Sequence, residues 1–302
     1  MALNNLDLDA LEMFRTVAIE GGITRAANKL NRVQSNISTR IIQLEERLGV
    51  SLFNRVNRRL ELTSEGELLL NYADRLLQLA EETDALFKEG FAQGNFRLGS
   101  MESTAAARLP MLLSTYHHHY PHVQIELMTD TTASLITRVK NYELEAAFVA
   151  GPIIHPELNQ QLAFTEKLVL IAPRHKGFKQ AEEAIGENLI TFRSGCAYRH
   201  LLEGWITETG GTIRNCMEMS SYHAIIACVA AGTGIALVPQ SVLQVISTDN
   251  MLQTLRLPEK YANIDTLLIW RKAYQARKLE AIRQFIQNNK DNKDNKELKI
   301  SP

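Results

Sequence analysis

Residues 34–66, QSNISTRIIQLEERLGVSLFNRVNRRLELTSEG, decide how this chain is read. In the first part Ile37, Ile41, Leu44 and Leu48 share one stripe, because each helical residue advances by about 100°. Gly49 stops that helix. The opposite face presents Ser35, Asn36, Thr39 and Gln43, with Ser38 and Arg40 on its flanks. Ile42 stands on the polar side, placed to touch a thymine methyl or to pack on a neighbour. Upstream, Leu8, Leu11, Phe14, Val17 and Ala18 recur at helical spacing as far as Gly21-Gly22. Thr24 is then placed to cap a short helix over residues 25–30, whose Ala26 and Ala27 let another helix approach closely. A short helix, a tight turn and a helix with a small polar face is how a helix-turn-helix enters the major groove. On periodicity alone, a plain three-helix bundle with a solvated face fits better.

The segment after Gly49 shifts the balance. Leu52-Phe53 is apolar, residues 54–59 form a polar and basic tip, and Leu60-Glu61-Leu62-Thr63 alternates. Two short strands with such a tip read as a wing, with Arg55, Arg58 and Arg59 placed to neutralise phosphates.

Thr24-Arg-Ala-Ala-Asn-Lys-Leu30, Gln34-Ser-Asn-Ile-Ser38, Leu44-Glu-Glu-Arg-Leu-Gly49 and Leu52-Phe-Asn-Arg-x-x-Arg-Arg-Leu-x-Leu-Thr-x-x-Gly66 together resemble the LysR-type transcriptional regulators. The resemblance implies a winged helix-turn-helix over residues 6–63, with the helix-turn-helix at about 23–42. Thr24, Arg25, Gln34, Ser35, Asn36, Ser38, Thr39 and Arg40 would then face DNA, beside Arg55, Arg58 and Arg59 of the wing. The chain departs at Arg32-Val33, where the family usually has an apolar residue and then Ser or Thr. With that cap missing, Ser35 is the candidate to take it.

The length of 302 residues suits two or three domains, and 45% hydrophobic against 22% charged residues excludes a wholly disordered chain. A net charge of −1 argues against coating nucleic acid by bulk charge. Divided along the chain, nine basic against six acidic residues give +3 over residues 1–60. Eight acids against Arg75 and Lys88 give −6 over residues 61–90. A basic head beside an acidic segment suits a DNA-binding module, though chance scatter explains such small sums equally well. No apolar window is long enough for a membrane span and no secretory signal is visible, so a cytoplasmic location is expected. Cys196, Cys216 and Cys228 match no zinc spacing and read as cytosolic thiols.

Residues 64–90 predict one helix, with no Gly or Pro between Glu67 and Glu89. Leu69, Tyr72, Leu76, Leu79, Thr83 and Leu86 alternate steps of three and four, the spacing of a dimer seam. One amphipathic helix lying on a domain has the same pattern, and the family resemblance favours the seam. It implies a homodimer or homotetramer that presents paired recognition helices to double-stranded operator DNA, with RNA polymerase as a further partner.

Beyond residue 90 the period changes. Residues 96–99, 124–128, 146–149, 168–172, 189–192, 235–238 and 266–270 read as strands, with helices starting near Thr104, Ser134, Tyr198 and Ser221. That alternation predicts a mostly parallel α/β body. Ligands in such folds sit beyond the carboxyl ends of strands. Those ends are rich in hydroxyls: Ser100-Met-Glu-Ser-Thr104, Thr129-Asp-Thr-Thr132 and residues 192–199. For any single hydroxyl, helix capping is the stronger claim. Leu135-Ile-x-x-Val139, Tyr142-Glu-Leu-Glu-Ala-Ala-Phe148 and Ala230-Ala-Gly-Thr-Gly-Ile-Ala-Leu-Val-Pro239 resemble the family's effector-binding region. This implies a two-lobe, periplasmic-binding-protein-like domain over residues 92–288: lobe I at 92–163 and 265–288, lobe II at 164–264. The expected effector-binding residues are Met101, Ser103, Thr104, Thr131, Thr132, Arg193, Gly195, Cys196 and Arg199. The ligand expected there is a small carboxylate or amino acid, gripped by Arg193 and Arg199; no cofactor is expected.

His117, His118, His119 and His122 invite a metal reading, but Pro121 interrupts the helix and no Cys is near. Gly232-Thr-Gly lacks the third glycine of a dinucleotide loop. No nucleophile-base set appears, so no enzyme activity is expected. Two other classes stay open: a binding protein whose head serves protein contacts, and an enzyme fused to a DNA-binding head. Residues 289–302 are polar and low in complexity and are expected to form a disordered tail.

Overall fold

The computed structural model describes residues 6–56, 59–87, 92–246 and 250–297. The chain divides into two compact units, Met1–Glu89 with Asn141–Glu143, and Gly90–Lys140 with Leu144–Pro302.

In the first unit α1 (Leu8–Glu20) begins where Asp7 accepts a hydrogen bond from the Ala10 amide at 2.7 Å. It ends at Gly21, whose φ of 64° is the left-handed conformation that favours glycine. α2 (Ile23–Lys29) and α3 (Gln34–Leu48) come next, then the antiparallel strands β1 (Phe53–Val56) and β2 (Arg59–Leu62), and α4 (Ser64–Phe87). Phe14, Val17, Ala27, Ile37, Leu44 and Leu52 are among the residues of one buried core, with Ala73 and Leu77 of α4.

Two capping expectations are corrected. α2 starts at Ile23, with Gly22 in the cap position, so Thr24 lies inside the first turn and caps nothing. Ile23 packs against the core, which draws the helix start one residue ahead of the polar side chain. Ser35 does not cap α3 either. Val33 occupies that position, and its carbonyl accepts from the Asn36 and Ile37 amides.

The second unit contains β3 (Gly94–Ser100), α5 (Glu102–Ala107), α6 (Leu109–His119), β4 (Val123–Thr129), α7 (Thr132–Lys140) and β5 (Ala146–Ala150). The long strand β6 (Leu158–Pro173) then leads to β7 (Leu189–Thr191), α8 (Ala197–Glu208), β8 (Cys216–Glu218), α9 (Tyr222–Ala230) and β9 (Ala236–Pro239). α10 (Gln240–Val245), β10 (Leu252–Leu255), α11 (Glu259–Ala262), β11 (Asn263–Arg271) and α12 (Arg277–Glu297) complete it.

β6 makes two lobes of this unit. Up to Lys167 it pairs with β11, which continues the layer β5-β3-β4. From Leu168 it pairs with β9 and β10 instead. The crossing expected near Phe164 falls within this strand, and the return near Asp265 falls within β11. The sheet is mixed, where a mostly parallel one was expected. β3 is parallel to β4 and β5, but β6 is antiparallel to β11, β9 and β10, and β11 is antiparallel to β5. Two strands that carry the chain out of a lobe and back must run in opposite directions, which alternation of elements does not reveal. One lobe buries Phe96, Leu98, Tyr116, Phe148 and Ile282. The other buries Leu170, Ile190, Leu202, Trp205 and Val238.

α12 runs to Glu297, past residue 289, where the tail was expected to begin. No Gly or Pro interrupts residues 277–297, so the backbone meets no stop signal there. Residues 298–302 lie outside the described residues. Among the described residues no helix is long and apolar enough to cross a membrane.

Candidate nucleic-acid interface and ligand cleft

α3 buries Ile37, Ile41 and Leu44 and turns its other side outward. Gln34, Ser35, Asn36 and Thr39 are exposed, and Ser38 and Arg40 are half-buried. Val33 and Ile42 flank this polar strip at 68% and 53% exposure. Apolar side chains left in water on both sides of short hydroxyls and an amide match what base edges and thymine methyls offer. Because Val33 takes the cap position, the Ser35 hydroxyl is not spent on it.

Glu45 fixes the wing against this helix. Its Oε1 accepts the Leu52 amide at 2.7 Å and the Phe53 amide at 3.3 Å. Thr63 closes the other end: its hydroxyl donates to the Ser51 carbonyl at 2.7 Å and accepts the Gly66 amide at 2.9 Å. Arg55 and Arg59 lie in the two wing strands, while Arg58 lies outside the described residues.

Other arginines are already engaged. Arg25 donates to the Glu20 carbonyl at the end of α1. Arg40 and Arg32 approach Asp9 at 3.9 and 3.6 Å. Such exposed pairs contribute little and exchange readily for phosphate. Thr24 is exposed beside Arg25.

α4 has two apolar faces. Ala73 and Leu77 are buried in the head's core, with Leu69 and Leu70 packed beside them. Tyr72, Leu76 and Leu79 are 52%, 40% and 52% exposed. Leu69 of the expected seam thus serves the head, and the Leu86 side chain lies outside the described residues.

In the second unit, the carboxyl ends of β3 and β4 and the start of α8 converge on a pocket of about 290 Å³. Of the residues expected there, Met101, Ser103, Thr131, Thr132 and Cys196 line it. Glu102, Asp130, Phe192, Ala197, Tyr198 and Tyr222 line it too, and the sequence reading did not single these out. Thr104 is buried but is not in the wall. Gly195 closes the cleft: its φ is 91°, and a Cβ there would lie 3.1 Å from Thr131 Oγ1. Its carbonyl accepts the Ala133 amide from the facing lobe at 3.3 Å.

Most hydroxyls of the wall serve the fold. Thr132 accepts the Ala150 amide at 3.2 Å, Thr131 accepts the Ser134 amide at 3.5 Å, and Ser103 donates to the Tyr198 hydroxyl at 3.4 Å. The capping claim therefore holds for Thr131. The expected arginine grip is also altered. Arg193 pairs with Asp130 across the cleft. Arg199 pairs with Glu203 at 2.7 Å and Glu218 at 2.5 Å, and it lines an adjoining pocket of about 230 Å³. Both guanidinium groups already have carboxylate partners.

The two acids in the wall differ. Burial pushes the Asp130 carboxyl up, but bonds from Ser134, Arg193 and the Thr131 amide outweigh it and hold it below its ordinary value. Burial pushes Glu102 up, and the Tyr222 amide and the charge of His223 only partly oppose this. Glu102 Oε1 accepts that amide at 3.4 Å, whereas its Oε2 is buried without a hydrogen-bond partner among the described residues. The signal for these acids was their place among hydroxyls at strand ends; the hydroxyls drew the reading instead. Burial also raises the Cys196 thiol, which disfavours the reactive thiolate. His119 approaches the Thr115 carbonyl at 2.9 Å and its ring meets Phe285, so it closes the end of α6.

A winged helix-turn-helix with an open polar recognition face, followed along the chain by a two-lobe domain with a pocket between the lobes, defines a DNA-binding regulator with its own sensor. Comparison with known proteins supplies the family. Residues 8–67 match the model of the bacterial regulatory helix-turn-helix protein, lysR family, and residues 89–291 match the LysR substrate binding domain. The chain belongs to the LysR family of transcriptional regulators, whose members are regulators rather than enzymes. It is 38% identical to the HTH-type transcriptional regulator GltR of Bacillus subtilis over 88% of this chain and 91% of that protein. It is 40% identical to YusT of the same organism, over 87% and 88%. Among solved structures, a full-length OxyR variant from Pseudomonas aeruginosa superposes with a TM-score of 0.72 at 20% identity, covering 93% of this chain and 95% of that one. CbnR complexed with its target DNA gives 0.69 at 22% identity, covering 94% and 99%.

Proposed function

We propose that this LysR-type regulator acts in the cytoplasm as a homodimer or a tetramer built from dimers, and that it contacts RNA polymerase when bound at a promoter. A small molecule closing the lobes of the second unit would alter how the paired heads engage the operator. The exposed strip Tyr72, Leu76 and Leu79 carries the assembly part of this reading, because three large apolar side chains spaced four and three apart suit a partner helix. The groove contacts are assigned to Ser35, Asn36, Thr39 and the flanking Ile42, and the phosphate contacts to the wing arginines. For occupancy of the pocket to regulate, the ligand must bind one assembly geometry better than another.

The test is a footprint of the full-length protein on the intergenic region beside its own gene, at several salt concentrations. A protected two-fold site whose affinity falls steeply with salt is expected. A footprint of one half-site, bound by monomer, would overturn the assembly.

A further inference from the structure

The pocket between the lobes holds a carboxyl group whose charge is left without a close, permanent partner among the described residues. Glu102 opens α5 and stands in the pocket wall with Met101, Ser103, Phe192, Tyr198 and Tyr222. One of its oxygens receives a single long hydrogen bond, from the Tyr222 amide at 3.4 Å, and the other is buried with no partner among those residues. Asp130, the other acid of the wall, contrasts with it. It is bonded to Ser134 at 2.6 Å and to Arg193, with Arg138 at 3.6 Å. The cations that were expected to receive an anion are thus tied to Asp130, Glu203 and Glu218. Among the described residues, His223 is the cationic neighbour that acts on Glu102.

We propose that the effector of this regulator carries a protonated amine on a compact apolar body, and that Glu102 receives the amine. An ammonium supplies the donors that a half-satisfied carboxylate lacks, and a buried charge-assisted hydrogen bond is about twice as strong as a neutral one. A second carboxylate would meet a like charge, with Arg193 and Arg199 already paired. Phe192 and Tyr222, with ring centroids 4.9 Å apart, offer aromatic surface to the body of the ligand and to the cation. The inference rests on the two-lobe pocket being the effector site.

The probes are three molecules of one shape: benzylamine, benzyl alcohol and benzoate. Their binding to the full-length protein is followed by calorimetry, for the parent protein, for Glu102→Gln and for Gly195→Val, whose side chain would press on Thr131 and Ala133 where the lobes meet. Benzylamine should bind at least tenfold more tightly than benzoate. Glu102→Gln should lose at least tenfold for the amine while changing benzyl alcohol by less than threefold. An unchanged amine affinity in Glu102→Gln would overturn the assignment of Glu102. Preference for benzoate, weakened by Gly195→Val, would overturn the amine but leave the pocket as the effector site. If no probe binds, or neither variant changes the binding of any of them, both the amine and the pocket are overturned.

Discussion

Arg108 and Glu166 form a two-point ion pair, with Nε to Oε1 at 2.6 Å and Nη2 to Oε2 at 3.1 Å. Glu166 is 2% exposed and its Oε2 also accepts the Ser241 hydroxyl at 2.8 Å. Arg108 comes from the junction of α5 and α6, Ser241 from α10, and Glu166 from the point where β6 changes partners. One carboxylate therefore ties elements of both lobes to the strand that crosses between them. Removing one member of a buried pair leaves the other uncompensated, typically about 3–5 kcal/mol. Arg108 keeps some contact with water, so the lower end is expected for Glu166→Ala. Glu166→Gln retains an acceptor for Ser241 and should lose less. Urea unfolding followed by circular dichroism measures both, and a Glu166→Gln variant as stable as the parent would show that the charge contributes nothing.

Gly66 explains a motif position that the sequence shows but cannot justify. A Cβ there would lie 2.2 Å from the Leu52 carbonyl oxygen, which is backbone and cannot swing aside. The first turn of α4 is thereby pressed against the start of the wing. Gly66→Ala is expected to destabilise the head by about 3 kcal/mol or more, since overpacking costs roughly 1–3 kcal/mol even where side chains can yield. Loss of operator binding at elevated temperature with recovery on cooling would accompany it. A variant with unchanged melting would show that the two segments separate easily.

Asn36→Ala and Arg58→Ala should fail in different ways. Asn36 is exposed on the recognition face, where one good base contact is worth about 1–3 kcal/mol of discrimination. Its loss should reduce the preference for operator over random DNA by roughly tenfold or more. Arg58 belongs to the basic tip at residues 54–59, read as a phosphate contact. Its removal should weaken binding to all sequences and lower the salt slope by about one. A loss confined to one operator for Arg58→Ala would reassign it to base reading.

The head is legible in the sequence because its signals are local. Helical periodicity, glycines at Gly21 and Gly49, and a basic hairpin tip all lie within a few residues of what they specify. The strands at residues 96–99 and 146–149 are legible for the same reason. The mixed sheet is not, because the antiparallel pairing of β6 with β11 joins residues about a hundred positions apart. The effector residues are half legible. Strand ends locate the pocket, but whether Arg193 and Arg199 are free depends on Asp130, Glu203 and Glu218, partners that the tertiary fold supplies.

The strip on α4 makes a prediction about assembly. Leu76 and Leu79 are exposed, so an acidic side chain there costs the folded head little, within about 0.5 kcal/mol. Against a partner helix the same charge would be buried without a counter-ion. Leu76→Glu with Leu79→Glu should therefore shift sedimentation toward the monomer while leaving the circular dichroism spectrum unchanged. Operator affinity should fall at least tenfold, because one head alone makes half the contacts. An unaltered sedimentation coefficient would place the dimer contact elsewhere.

The half-satisfied carboxyl of Glu102 also predicts how stability varies with pH. Burial holds its pKa above the ordinary 4.5, so the folded state keeps a proton that the unfolded chain releases. Stability from this group is fully present below the unfolded value and is lost as pH rises through the folded one. Glu102→Gln mimics the protonated form and cannot lose it. The melting temperature of Glu102→Gln minus that of the parent should thus be smallest in acid, increase as pH rises past the ordinary carboxylate value, and level off once Glu102 is ionised in the folded protein. Taking the difference removes the contributions of Asp130 and Cys196, which both proteins share. Saturating benzylamine should then reduce the gap on that upper plateau, because the ammonium stabilises the ionised carboxylate in the parent alone. A gap that is constant with pH would mean that Glu102 titrates alike in the folded and unfolded chains, and that its buried oxygen finds a partner in solution.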